Sequence, residues 1–218
     1  MISHVHRCIF VHIPKTGGTS IEDAIWGTDH TLRTSDMLWM GGDDPHYKPY
    51  VQGFGPLQHL RATDIETLVG PATFNSYFRF TIVRNPWDRL VSQYHHLSAS
   101  ENGHRLYDLP AGATFEAYLE RLAAGSHERH CQSIEQWRFV FDDAGRQLVD
   151  SVGRFENLTH DYEQIAARLG VTTALGHQMQ SSHREPTSQY FQDPAALRYA
   201  DAVYGEDIER FAYRFPAD

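Results

Sequence analysis

Ile9-Phe10-Val11-His12-Ile13-Pro14-Lys15-Thr16-Gly17-Gly18-Thr19-Ser20 is the stretch of this chain that decides its fold. The apolar, β-branched run from Ile9 to Ile13 reads as a strand, and Pro14 stops it. A lysine, two glycines and three hydroxyl residues follow at once. Ile21, Ala24 and Ile25 then recur at helical spacing. The order is strand, glycine turn, helix N-terminus. Such a turn exposes backbone N–H groups, the helix start adds partial positive charge, and Lys15 adds a full one. This chemistry suits an anion carried by a nucleotide or similar ligand. It is not a Walker A loop, because Lys15 precedes Gly17 and Gly18 instead of following them. The shorter loop wraps fewer phosphate oxygens and fits a 5′-phosphosulfate better than a magnesium-bound triphosphate.

Working outward, Tyr77 to Val83 is aromatic and β-branched and predicts a second strand. Asn85 is a good helix N-cap and Pro86 suits the first helical position. Leu90, Val91, Tyr94 and Leu97 continue at helical spacing. Arg84 therefore stands at the carboxyl end of a strand, where ligands bind in open α/β sheets. Ser92 lies two turns into the helix. A planar guanidinium and a hydroxyl suit a phosphate. Taken alone, the pair reads better as an arginine neutralising a carboxylate beside a surface serine.

Elsewhere strands and helices alternate. Residues 28 to 56 are rich in Gly, Asp, Pro and His and read as a long loop carrying acceptor contacts or a lid. Thr63-Asp64-Ile65-Glu66 reads as a capping box opening a short helix that ends at Gly70. Helices are expected from Thr114 to Ala124 and from Glu163 to Leu169, and a strand from Val149 to Phe155. Asp193-Pro194 caps a further helix, which Gly205 separates from a last one. The fold class is α/β, with a mostly parallel sheet covered on both faces. At 218 residues, without linker or repeat, the chain reads as one domain, 1–218.

The two motifs together resemble those of carbohydrate sulfotransferases of the heparan sulfate 2-O-sulfotransferase and chondroitin 4-O-sulfotransferase type. Ile13 to Ser20 matches that family's 5′-phosphosulfate loop, and Ile82 to Ser92 its 3′-phosphate motif. Gly153 to Leu158 and Glu206 to Phe215 are weaker echoes. The chain departs from the pattern between Gly176 and Tyr190, where Met179 stands at a position often held by asparagine. The resemblance implies a P-loop-like three-layer fold and a donor, 3′-phosphoadenosine 5′-phosphosulfate, without a metal. It implies that Lys15, Thr16, Gly17, Gly18, Thr19 and Ser20 hold the 5′ end, with Lys15 neutralising charge on the bridging oxygen. Arg84 and Ser92 would hold the 3′-phosphate.

Sulfuryl transfer to an alcohol needs a base, and an imidazole is suited to neutral pH, its unperturbed pKa being about 6.5. Of fourteen histidines, His59 just ahead of the capping box is the choice, and its context matches the family's base. His46 is the alternative. His12 reads as packed in the sheet, and the adjacent His95 and His96 point to different sides of a helix. No His-x-x-x-His or Cys-x-x-Cys pattern indicates zinc, and Cys8 and Cys131 read as reduced thiols.

The formal charge is −9, and Lys15 and Lys48 are the chain's lysines. That balance leans toward a neutral sugar, glycolipid or small alcohol as acceptor, and no basic stripe points to nucleic acid. No apolar run reaches the length of a membrane span, and Met1 to Arg7 lacks the pattern of a signal peptide. Animal members of the resembled family are anchored in the Golgi. The expectation here is a bacterial-type cytoplasmic protein or an excised catalytic domain. A non-catalytic nucleotide-binding module, an ATP-dependent phosphotransferase and a histidine-rich metal-binding protein remain as alternatives.

Overall fold

Cys8–Val11, fully buried, is the second strand of a four-stranded sheet. The computed structural model describes residues 1–41, 44–52, 54–99, 107–126, 130–176 and 185–216. In chain order the elements are β1 (Ile2–Ser3), β2 (Cys8–Val11), α1 (Gly18–Trp26), α2 (Lys48–Val51), α3 (Ala62–Val69), α4 (Pro71–Ser76), β3 (Phe78–Val83), α5 (Pro86–Ser98), α6 (Phe115–Arg121), α7 (Trp137–Val140), β4 (Ser151–Arg154), α8 (Leu158–Leu169) and α9 (Pro194–Arg210). The sheet order is β1-β2-β3-β4, with β1 antiparallel and the other three parallel. The architecture is α/β with a mixed, mostly parallel sheet flanked by helices. Among the described residues no helix is long and apolar enough to cross a membrane.

The chain divides into two compact units, residues 1–83 with 136–179 and residues 84–135 with 180–218. The first unit holds the whole sheet. Alternation along β2 and β3 puts Cys8, Phe10, Phe80 and Ile82 on one face. Ile21, Ala24 and Ile25 of α1, and Tyr162, Ile165 and Ala166 of α8, close over them as one apolar cluster. The register of β3 on β4 is pinned by Arg79 and Asp150. The Arg79 backbone N–H donates to Asp150 Oδ2 at 2.8 Å, its Nη2 to Oδ1 at 2.7 Å, and the Asp150 N–H returns to the Arg79 carbonyl at 2.8 Å.

The second unit is built on a buried arginine. Arg89 donates to the carbonyls of Ile134 at 2.9 Å and Gln132 at 3.2 Å, and the Tyr204 hydroxyl donates to the Ser133 carbonyl at 2.9 Å. These bonds fasten the 132–134 segment to α5 and α9. A buried guanidinium is costly unless its donors are used, and backbone carbonyls use them here.

Two local expectations need correction. Thr63 to Glu66 is not a capping box. The helix starts at Ala62, Arg61 occupies the N-cap without a side-chain bond, and Thr63 lies inside the first turn. Burial of Ala62 and Ile65 sets that start, ahead of local capping chemistry. The break expected at Gly205 is present one residue earlier: two helical runs of α9 meet at a kink at Tyr204, φ −106° and ψ 16°. The 28–56 stretch is not one bare loop, since short 3-10 turns at His30–Leu32 and Ser35–Met37 and helix α2 interrupt it. Asn85 and Asp193 do cap their helices, each followed by proline in the first turn.

Candidate functional site

The first unit contains the loop that leaves β2. The ladder of β2 on β3 ends at the pair Val11–Thr81, so the next carbonyls need other donors. Side chains supply them. The Thr81 hydroxyl donates to the Val11 carbonyl at 2.7 Å, His59 Nδ1 to that of His12 at 3.0 Å, and the Thr16 hydroxyl to that of Ile13 at 2.8 Å. Thr16 is thereby a buried loop-closing residue. Lys15 and Gly17 take left-handed conformations, φ 69° and 81°. Such a backbone is uncommon for lysine and is found where a site demands it.

Helix α1 begins at Gly18 with no side chain capping it and no acid in its first turn. Its N-terminal partial charge is left for an anion. The two glycines are required for separate reasons. A Cβ at Gly17 would lie 2.8 Å from Leu158 Cδ2 and 3.1 Å from Phe155 Cδ2, in a backbone conformation that disfavours side chains anyway. A Cβ at Gly18 would overlap the His12 imidazole. Lys15 and Thr19 are half-buried at the loop, and Ser20 is buried.

His59 stands on a 3-10 turn, Leu57–His59, and is 8% exposed. A carbonyl only accepts, so its bond to the His12 carbonyl puts the proton on Nδ1 and leaves Nε2 as the basic nitrogen of the neutral ring. Leu57 N–H donates to the Met40 carbonyl at 3.1 Å, and Met40 N–H to Gln58 Oε1 at 3.2 Å. This strap puts the turn beside a pocket of about 430 Å³ lined by Met40, Lys48, Val51, Gln52, Gly55 and Pro56. The alternative, His46, is exposed, its N–H bonded to Asp44 Oδ1 at 2.9 Å.

Behind the loop lies a polar network that the sequence reading missed. His12, 5% exposed, stacks on Phe10 with ring centroids 5.3 Å apart, as its expected place in the sheet requires. Its Nδ1 donates to Glu22 Oε1 at 2.7 Å. Arg33 Nη1 lies 3.7 Å from Glu22 Oε2, and Arg33 Nη2 bonds Asp23 and, at 2.7 Å, the Gly27 carbonyl. His30 Nε2 completes the group, 2.8 Å from Asp23 Oδ1. The available signal was the acidic pair Glu22-Asp23 beside the buried stripe of α1.

In the second unit, Arg84 is buried, and its Nε donates to Asp88 Oδ2 at 2.6 Å. The Thr187 hydroxyl donates to Asp88 Oδ1 at 2.8 Å. Ser92 lies one turn beyond Asp88 on the same helix face and is buried, not a surface serine. The pairing of Arg84 with a carboxylate is real, and it uses Nε. His95 Nε2 and the Tyr190 hydroxyl, 2.7 Å apart, hold the late 3-10 turn Thr187–Phe191 on α5. Asp88 was legible from its spacing to Arg84; Thr187 and Tyr190 carried no signal. Met179 and the rest of 177–184, the core of the departing segment, lie outside the described residues.

The structure thus joins the Lys15–Ser20 loop to His59 through His12 in one unit, and in the other bonds Arg84 to Asp88, one helical turn before Ser92. Among the described residues no group of three or more His, Cys, Asp or Glu side chains converges as a metal site. Burial pushes the thiols of Cys8 and Cys131 up to about 12, which leaves both as unreactive thiols at neutral pH.

Residues 1–214 match the model of a family described as the sulfotransferase family. No curated protein matches the chain significantly. The family match spans nearly the whole sequence, both motifs included. The chain belongs to the sulfotransferase family, and membership supports enzymatic activity of that general class.

Proposed function

Proceeding from that membership, we propose that residues 1–218 form a single sulfotransferase domain of P-loop-like, three-layer type. In this reading it moves a sulfuryl group from 3′-phosphoadenosine 5′-phosphosulfate to a hydroxyl of a carbohydrate or other small alcohol. It resembles, in this reading, the heparan sulfate 2-O- and chondroitin 4-O-sulfotransferases, and its place is the cytoplasm. The observation that carries the reading is the hydrogen bond from His59 Nδ1 to the His12 carbonyl, which leaves Nε2 basic in the same unit as an uncapped, glycine-opened helix N-terminus.

The residues then divide the work. Backbone N–H groups at Gly17, Gly18 and Thr19, with the hydroxyls of Thr19 and Ser20, receive the 5′-phosphate, while Thr16 keeps the loop closed. Lys15 neutralises the bridging oxygen as its bond to sulfur breaks. Arg84, through its Nη groups, and Ser92 receive the 3′-phosphate. Asp88 and Thr187 fix the guanidinium plane. His59 Nε2 takes the acceptor's proton as the acceptor oxygen bonds to sulfur, and 3′-phosphoadenosine 5′-phosphate leaves. Positioning and electrostatics carry such transfers. No metal is assigned, because a sulfuryl group bears less charge than a terminal phosphate.

The pocket beside His59 is the proposed acceptor site. Met40, Val51 and Pro56 offer an apolar wall, and Gln52 and Lys48 offer polar contacts. Such a lining suits one face of a sugar ring or an amphiphilic alcohol. The test is thermal shift with 3′-phosphoadenosine 5′-phosphate, adenosine 5′-phosphate, ATP–magnesium and zinc. The first alone should stabilise strongly, by about 2.7 kcal/mol at a hundredfold excess over Kd. Stabilisation by ATP–magnesium or zinc instead would overturn the reading.

A further inference from the structure

We infer that His12 and Glu22 are positioning residues for His59. The Glu22 carboxylate anchors the His12 ring, and His12, by its ring edge and its carbonyl, holds His59 as the Nδ1–H tautomer with Nε2 basic. The inference rests on the proposed role of His59 as base.

Four observations carry it. His12 lies one residue past the last ladder pair of β2, so its carbonyl is left over from the sheet, and His59 supplies the donor from 47 residues away. The two rings meet edge to face, with centroids 4.4 Å apart and planes at 67°. The His12 ring is itself fixed by the stacked Phe10, by the close backbone of Gly18, and by Glu22 at 2.7 Å. Glu22 is 1% exposed. A carboxylate is costly at that depth unless charge and hydrogen bonds compensate. Arg33 supplies the charge at 3.7 Å, and the short bond goes to His12. An apolar residue would fill the space more cheaply if packing were all that was needed. A carboxylate that orients a histidine is the arrangement by which proteins fix one tautomer. Here the orientation passes through a second imidazole. Among the described residues, Arg33 and the buried Met1 ammonium also face Glu22, and Asp23 and His30 complete the charged and titratable groups around it.

The decisive readout does not need activity. Two-bond nitrogen–proton NMR correlations on histidine-labelled protein report the tautomer of His59 at a pH where its ring is neutral. Wild type should show Nδ1–H. Glu22→Ala should give a mixture of tautomers, and Glu22→Gln, which still accepts from His12 Nδ1, should restore the wild-type signal. If Glu22→Ala does not fold, His12→Asn takes its place, since an amide can still donate to Glu22 but lacks the ring that meets His59. Kinetics give the second readout. Glu22→Ala should lower kcat about tenfold or more with the donor KM changed less than about twofold, and should add nothing in a His59→Ala background. An unaltered His59 tautomer in these variants, or an equal loss of kcat without His59, overturns the inference. A tautomer shift in a protein that transfers no sulfuryl group would uphold the positioning and refute the assigned chemistry.

Discussion

The backbone of Gly18 lies against the imidazole of His12, so closely that a methyl group on Gly18 would overlap the ring. The first residue of α1 and the residue after β2 are thus pressed together, and the ring between them is held by Glu22. Strand end, anion-binding turn and helix start form one rigid piece.

Gly18→Ala should therefore be costly although alanine is the better helix former. The ring cannot swing away without breaking its bond to Glu22, so the backbone must move. Overpacking of this kind costs roughly 1–3 kcal/mol. Urea denaturation should show the lower midpoint with an unchanged slope, and nucleotide binding should weaken with it.

Gly205→Ala should do the reverse. Nothing lies within 4 Å of its would-be Cβ, and it sits inside α9. Removing glycine's freedom in the unfolded chain stabilises by about 0.4–1 kcal/mol. A rise in Tm of roughly 1–4 °C checks this.

Lys15→Ala and His59→Ala should separate donor binding from chemistry. Loss of Lys15 should weaken binding of the bisphosphate nucleotide and the rate together. Loss of His59 should leave donor affinity near wild type while slowing transfer by ~10²–10⁴. Isothermal titration and single-turnover rates distinguish the two. If His59→Ala keeps its activity while His46→Ala does not, the base is His46.

Arg84→Ala should weaken 3′-phosphoadenosine 5′-phosphate by roughly 1.5–3 kcal/mol and barely change adenosine 5′-phosphate. Arg84→Lys should not rescue it, because lysine cannot bond Asp88 and a phosphate from one rigid plane. Equal losses for both nucleotides in calorimetry would place Arg84 elsewhere than at the 3′-phosphate.

Asp150→Asn tests the β3–β4 clamp. Burial pushes the Asp150 carboxyl up, but the hydrogen bonds and charge of Arg79, with the charge of Arg168, outweigh it and hold the group below the usual carboxylate range. A depressed folded-state pKa contributes stability that is present above the unfolded value and is lost as pH falls through the folded one. The variant should lose about 1 kcal/mol at pH 7, allowing for the partial exposure of the pair. The gap to wild type should close below about pH 4. Thermal melts across that range read it directly.

Local chemistry was legible in the residues alone. A β-branched run stopped by Pro14, two glycines before an amphipathic stripe, and Asn85-Pro86 after a second strand each settle their conformation within a few positions. That was enough for the strand–turn–helix, a mostly parallel sheet, and the loop that forms half of the candidate site. Where local signals and burial competed, burial won. α3 starts at Ala62 despite the better capping residue at Thr63. Other features had no local signal at all. The tautomer of His59 depends on a carbonyl 47 residues away, Asp88 meets a hydroxyl 99 residues on, and Glu22 and Arg33 form an ion pair at a depth no charge reaches alone. Sequence chooses among conformations that neighbours in the chain can favour. Which carbonyl lacks a partner, and which side chain from a distant turn supplies it, is decided only when the sheet closes and water is excluded, since only then does an unpaired donor become costly.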